Sequence, residues 1–311
     1  MNAQDELTGV FRAHRELLFA VVYNILGSIA DTEDVLQETW LAWSTRSGTE
    51  NPRAYLVRAA VNSALARRTT INRRKEQYVG PWLPEPVVKP VDPVDLIEQV
   101  EQAERAEGAE QGEPAGDAER VEAVSLAVLV VLETLTPLER AVFVLHEVFG
   151  CAPPEIAEIV GRTPAGVRQL AHRAREHVQA RRPRFPADPQ VQHEVTQRFV
   201  DAVVDADLNA LTEVLAPDVT LWADGGGKAR AAGLHPLLGR DRIAPLIIGD
   251  RRRGPVPGLD IRYRVVNGDP AALLLSGDTP FAVIVLDVED DQVTGIYAIT
   301  NPDKLTHVEV D

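Results

Sequence analysis

The stretch Pro153–Arg184, PPEIAEIVGRTPAGVRQLAHRAREHVQARRPR, decides the reading of this chain. Pro154 suits the first turn of a helix, where its missing N–H costs nothing. Ile156, Ala157 and Val160 form an apolar stripe, and Gly161 stands where a helix C-cap belongs. Thr163 then sits at an N-cap, with Pro164 opening a second helix. Val167, Leu170, Ala171, Ala174 and Val178 recur at helical spacing, and Arg168, Gln169, His172, Arg173 and Arg175 take the other face. Between Arg162 and Arg184 stand seven arginines and a single acid, Glu176. A helix, a tight turn and a second, basic helix suit the DNA major groove. The same pattern would also serve a solvated helical hairpin.

Working outward, charge is distributed in blocks. The 311 residues carry a net charge of −15, yet Arg53–Lys75 holds seven basic residues and no acid. The segment Asp92–Glu122 holds eleven acids and two arginines. Affinity for nucleic acid follows the local cation count, so two basic islands separated by an acidic one predict weak binding to free DNA and dependence on a larger partner. The length predicts two or three domains. The single cysteine, Cys151, excludes an internal disulfide and a cysteine-rich metal site. No apolar run reaches the ~18 residues of a membrane span, and the first residues lack a basic-then-apolar leader pattern, so a cytoplasmic protein without membrane contact is expected.

In chain order, residues 5–27 read as an amphipathic helix. DTEDVLQETWLAWS reads as a second, with Asp31 at its N-cap. A third begins near Pro52 and runs through AYLVRAAVNSALARRTTINRRKE. Residues 78–95, rich in proline, read as an extended linker whose Tyr78 and Trp82 should dock somewhere. The acidic stretch after it is low in hydrophobic residues and reads as weakly ordered. VEAVSLAVLVVLETL and PLERAVFVLHEVFG give two helices, the latter opened by the capping pattern Thr136–Glu139 and ended at Gly150. After a proline-rich hinge near Pro183 come two helices, a strand ending in DGGGK, a short helix, and four strands separated by NGDP, GDTP and EDD turns. That order predicts a curved α+β sheet wrapped by helices, a cone with a pocket.

DTEDVLQETWLAW, NPRAYLVRAAVNSALARR, LTPLERAVFVLHEVFG and PPEIAEIVGRTPAGVRQLAHRARE resemble regions 2 and 4 of extracytoplasmic-function (ECF) sigma factors of bacterial RNA polymerase, in the sigma-70 family. YVGPWLPEP, DGGGK and NPDKL resemble the subgroup with a SnoaL-like C-terminal extension. The resemblance implies a multidomain fold: two all-α helical domains, then an α+β SnoaL-like (nuclear-transport-factor-like) cone. The expected boundaries are region 2 at 1–76, linker at 77–119, region 4 at 120–183 and the cone at 190–311. The acidic insertion between the two regions departs from the family pattern.

The resemblance further implies that Asp34, Gln37 and Glu38 face the core polymerase. Ser47, Asn51, Arg58 and Asn62, with Arg67 and Arg68 on the same helix, would meet the −10 element. Arg168, Gln169, His172 and Arg173 would meet the −35 element, where arginine to guanine and glutamine to adenine are the expected pairings. Asp224, Gly225, Gly226, Gly227 and Lys228, with Asn301, Pro302, Asp303, Lys304 and Leu305, would be regulatory and contact the sigma part near the linker, Lys228 pairing with an acid there. Core RNA polymerase and promoter DNA are the implied partners, and the cone's pocket leaves room for a small-molecule ligand. No cofactor, metal or catalytic residue is expected. Two other readings stay open on the residues alone: a ligand-sensing helix-turn-helix regulator, and a cyclase- or isomerase-type enzyme with Asp224 as base and Trp222, Tyr263 and Tyr297 lining one cavity.

Overall fold

The computed structural model describes residues 3–46, 49–89, 91, 93–94, 124–181, 187–229, 233–254 and 256–310. Ser47 and almost all of the acidic stretch lie outside them. The chain divides into two compact units: one of residues up to 77 together with the 128–181 helices, the other of residues 78–89 and 187–310.

In the first unit, α1 (Ala3–Leu26) stops at Gly27, whose φ of 72° only glycine adopts cheaply. The next helix, α2 (Ile29–Ser44), is capped by Ser28, whose Oγ accepts from the Asp31 N–H at 3.2 Å. The cap expected at Asp31 is thus three residues earlier. Asp31 lies in the first turn and binds Arg67 at 2.9 Å and Arg74 at 3.3 Å. Asn51 caps α3 (Pro52–Glu76) by accepting from the Ala54 N–H at 3.0 Å. Leu56, Ala60, Ala64 and Ile71 of α3 are buried, as are Leu18, Val22 and Ile25 of α1 and Val35 and Leu36 of α2, and α3 packs on both helices, since side chains three and four apart share one helix face.

Further along the chain, α4 (Leu126–Leu132) precedes α5 (Pro137–Phe143). The Thr136–Glu139 capping box forms in both directions. The helix expected to run on to Gly150 instead widens into a π-helical turn, Val144–Val148, with the Phe149 N–H bonded to the Val144 carbonyl at 3.2 Å. The helix-turn-helix follows as α6 (Pro153–Val160) and α7 (Pro164–Gln179). Gly161 at φ 65° ends α6, and Thr163 Oγ accepts from the Gly166 N–H at 3.1 Å. Val167, Ala171, Ala174 and Val178 are the buried face of α7.

The second unit opens with β1 (Val88–Lys89), continues through α8 (Pro189–Val204), α9 (Leu208–Val214), β2 (Leu215–Asp224), β3 (Leu237–Leu238) and α10 (Arg240–Arg252), and ends in β4 (Leu259–Val266), β5 (Asp269–Ser276), β6 (Thr279–Glu289) and β7 (Gln292–Ile299). The sheet order is β1-β4-β5-β6-β7-β2-β3, antiparallel except where β2 lies parallel to β7. The helices cover one face, with Phe199, Leu211, Ile243, Ile248, Leu286 and Ile296 in a shared core. This is the α+β cone expected from the strand pattern. The short strands β1 and β3, at its two edges, were not legible as strands.

Candidate functional site

Three clusters carry the residues of interest. The first is the outer face of α7. Arg168, Gln169, His172 and Arg173 are all exposed, because the buried positions of the helix fall three and four residues apart and turn these four outward. Arg173 lies 3.6 Å from Glu139. Arg175 is bound to Glu147 at 2.5 Å, which raises its pKa through that hydrogen bond.

The second cluster spans α2 and α3. Asp34, Gln37 and Glu38 are exposed on one face of α2, with Leu41 beside them at 58% exposure. Arg67 is only partly exposed: it binds Asp31 at 2.9 Å, makes a close pair with Asp34 and lies 3.7 Å from Glu38. The Asp34 hydrogen bond raises the Arg67 pKa. Expected to reach DNA, Arg67 is engaged by the acids expected to face polymerase. The Asn51 side chain caps α3, and Arg58 and Asn62 are exposed. Arg68 departs most from expectation. It is 1% exposed, donates to the Leu26 carbonyl at 2.7 Å and to Glu133 at 2.6 Å, and cannot touch a phosphate from there. Its position on the stripe Ala60, Ala64, Ile71 was the available signal.

Glu133 gathers Arg68, Lys75 and Arg140 around one carboxylate. Burial would raise its pKa, but Arg140, Lys75 and Arg68 together hold the carboxyl well below the usual range. Burial pushes Lys75 down to about 7 despite its pairing with Glu133, with Arg68 and Arg140 adding to the depression. Burial also lowers Arg140, to about 10. Sequence reading missed Glu133, since its partners lie up to 65 residues away.

The third cluster joins the linker to the C-terminal unit. Asp224, at the end of β2, is fully buried. Its carboxylate accepts from the Tyr78 hydroxyl, the Leu83 N–H at 2.8 Å, the Gly226 N–H at 3.2 Å and the Lys304 ammonium at 2.7 Å. Lys304 is 3% exposed, also donates to the Leu83 carbonyl, and sits 3.7 Å from the Trp82 ring centroid. Burial and the Asp224 hydrogen bond push the Tyr78 hydroxyl up. Asn301 donates to the Tyr78 oxygen at 2.7 Å and accepts from the Asp303 N–H at 3.1 Å, opening the 3₁₀ turn Pro302–Lys304; Leu305 beyond it is buried. The glycines are required by space and by φ. At Gly226 (φ +58°) a Cβ would lie 2.5 Å from Asn301 Nδ2, and at Gly227 (φ +73°) 3.1 Å from Val79 Cβ. Gly225 completes the turn, its carbonyl accepting from the Lys228 N–H at 2.9 Å. Further along, Val87 exchanges hydrogen bonds with Asn267, and β1 pairs with β4.

Two expectations change here. Lys228 pairs with Asp303 of the same unit and not with a linker acid. Trp222 and Tyr297 stack at 4.9 Å on one sheet face, while Tyr263 meets His193 at 5.4 Å on the helix-covered face, so the three do not line one cavity. Asp224, saturated by four donors and fully buried, is also not placed to act as a general base.

A helix-turn-helix with an exposed basic second helix, a separate basic helix α3 and a linker clamped to an α+β cone define a sigma-type transcription factor with an appended domain. The Sigma-70 region 2 family model matches residues 10–74, and the Sigma-70, region 4 model matches residues 125–178. The chain is 35% identical over 306 residues to ECF RNA polymerase sigma factor SigJ of Mycobacterium tuberculosis, covering 95% of this chain and 92% of that protein. It is 29% identical over 312 residues to a probable ECF RNA polymerase sigma factor, SigI, of the same species, covering 98% and 97%. The crystal structure of the Mycobacterium tuberculosis extracytoplasmic function sigma factor SigJ superposes with a TM-score of 0.73 at 31% identity, covering 98% of this chain and all of that one. The chain belongs to the ECF RNA polymerase sigma factor family.

Proposed function

We propose that this sigma factor directs transcription initiation as part of polymerase holoenzyme in the cytoplasm, reading a −35 element with α7 and a −10 element with α3. The observation that carries the −35 reading is the exposure of Arg168, Gln169, His172 and Arg173 on one helix face. Arg58, Asn62 and the Asn51–Pro52 start of α3 are the −10 surface; Ser47, assigned to the same element, lies outside the described residues. Asp34, Gln37 and Glu38, beside the apolar Leu41, form the face for core polymerase. Arg67 holds that face and α3 together, a positioning role supported by its three acidic partners. The C-terminal unit regulates: its Asp224–Lys228 and Asn301–Leu305 segments hold the linker that connects the two sigma regions, so docking of that linker sets how far the regions separate. The unit acts by binding and not by catalysis, a reading supported by the saturation of Asp224.

The test is transcription by core polymerase supplemented with the full chain on a library of random promoter fragments, with 5′ ends mapped. Arg168→Ala and Gln169→Ala should relax base preference only in the −35 window, and Arg58→Ala only in or beside the −10 window. Unchanged preferences would refute the assignment.

A further inference from the structure

The C-terminal carbonyls of α1 are bound by cations from two different regions. Arg68 of α3 donates to the Leu26 carbonyl at 2.7 Å, and Arg140 of α5 donates to the Asn24 carbonyl at 2.8 Å. Both arginines then converge on Glu133, each at 2.6 Å, where Lys75 joins them. A helix C-terminus attracts cations, but two guanidinium groups brought together there repel unless an anion lies between them. Glu133 is that anion. It is the ionic link between region 2, which supplies Arg68 and Lys75, and region 4, which supplies Arg140.

The same closure places α6 against the −10 helix. Asn62 Nδ2 donates to the Ile159 carbonyl at 3.2 Å. Beside this bond lies a cavity of about 280 Å³ with Asn51, Ala54 and Arg58 on one wall and Cys151, Glu155 and Glu158 on the other. Two acids facing the −10 surface disfavour a phosphate backbone there. Among the described residues, Asn24 Oδ1 and Arg140 Nη2, buried beside the cluster, have no hydrogen-bond partner.

We propose that Glu133 is an electrostatic latch that holds region 4 over the −10 surface of region 2, and that the free protein reads the −10 strand only after the latch opens. This rests on the reading of α3 as the −10 helix.

Cys151 is the only cysteine, so Ala54→Cys creates a single pair across the cavity. The full-length variant is treated with a short, reductively cleavable bismaleimide and assayed with core polymerase. The linked protein should lose initiation and regain it on cleavage by reductant. Full initiation by the linked protein would overturn the latch while leaving the sigma-factor reading intact. Inactivity of the unsubstituted chain with core polymerase would overturn the sigma-factor reading and the latch with it; where only the unlinked Ala54→Cys variant is inactive, the Glu133→Gln arm decides. The cross-linking arm alters no member of the ion cluster and so decides the question even where the next variant unfolds. Glu133→Gln should slow cross-linking at least about tenfold and raise −10 single-strand binding by the free chain by a similar factor. A folded Glu133→Gln protein with unchanged cross-linking and binding would also overturn the proposal.

Discussion

Asp224→Asn tests how the linker is held. Asparagine keeps the size and one acceptor oxygen, but replaces the other with a donor facing the Leu83 N–H and the Lys304 ammonium, both now on Asp224 Oδ2. Lys304, 3% exposed, would lose its carboxylate partner and keep the Leu83 carbonyl and the aromatic faces of Trp82 and Tyr78. Removing one partner of a buried ion pair costs about 3–5 kcal/mol. A desolvated cation over aromatic rings retains about 2 kcal/mol of attraction, which places the loss near the lower figure, ~3 kcal/mol. Linker undocking should therefore become roughly 100-fold more frequent. Hydrogen exchange on the full chain reads this directly at the Leu83 amide, with the Val87 amide as a second reporter. Lys304→Met should cost a similar amount. The double variant should cost about 2 kcal/mol less than the sum, because neither charge is left alone. A change below fivefold at Leu83, or strict additivity, would refute the view that this ion pair holds the linker.

Other consequences follow from the same geometry. Gly226→Ala places a methyl against Asn301 and Tyr78 at positive φ, and should destabilise linker docking by about 1–3 kcal/mol, read by the same exchange measurement; the adjacent, exposed Lys228→Ala should change it by less than about 0.5 kcal/mol. Lys75 loses its proton near pH 7 when folded and near its ordinary value of 10.5 when unfolded. Between those values the unfolded state binds more protons, so stability should rise with pH, by at most about 1.4 kcal/mol per unit; urea midpoints from pH 6.5 to 9 check this, and Lys75→Met should flatten the profile. Thr163→Ala removes the acceptor that caps α7 and should cost about 1 kcal/mol, read as a lower melting temperature. Exposed Arg168 replaced by alanine should leave that temperature unchanged.

Local signals were readable because local chemistry fixes them. Gly161, Thr163 and Pro164 placed the helix-turn-helix, since a C-cap, an N-cap and a first-turn proline each have a position-specific cause. The strand pattern from Leu259 to Ile299 placed the meander. What stayed hidden depends on distant partners. Asp224 reads locally as a turn-former, and it does bind the Gly226 N–H two residues on; its bonds to Tyr78 and Lys304, 146 and 80 residues away, leave no periodic trace. Arg68 reads as a basic-helix residue until its place on the buried stripe is weighed. The cap at Ser28 was missed because Asp31 is an equally good capping type. The choice between them depends on Arg67 and Arg74, which draw Asp31 into the helix.

The central claim is that α7 and α3 read two separate promoter elements while the chain is bound to core polymerase. The most direct measurement is sequencing of transcripts made from a random promoter library by core polymerase, with and without the chain. Initiation is expected only with the chain, at starts sharing two spaced motifs, with base preference in the upstream motif lost for Arg168→Ala. Transcripts identical to those of core polymerase alone, or one undivided motif insensitive to Arg168, would contradict it.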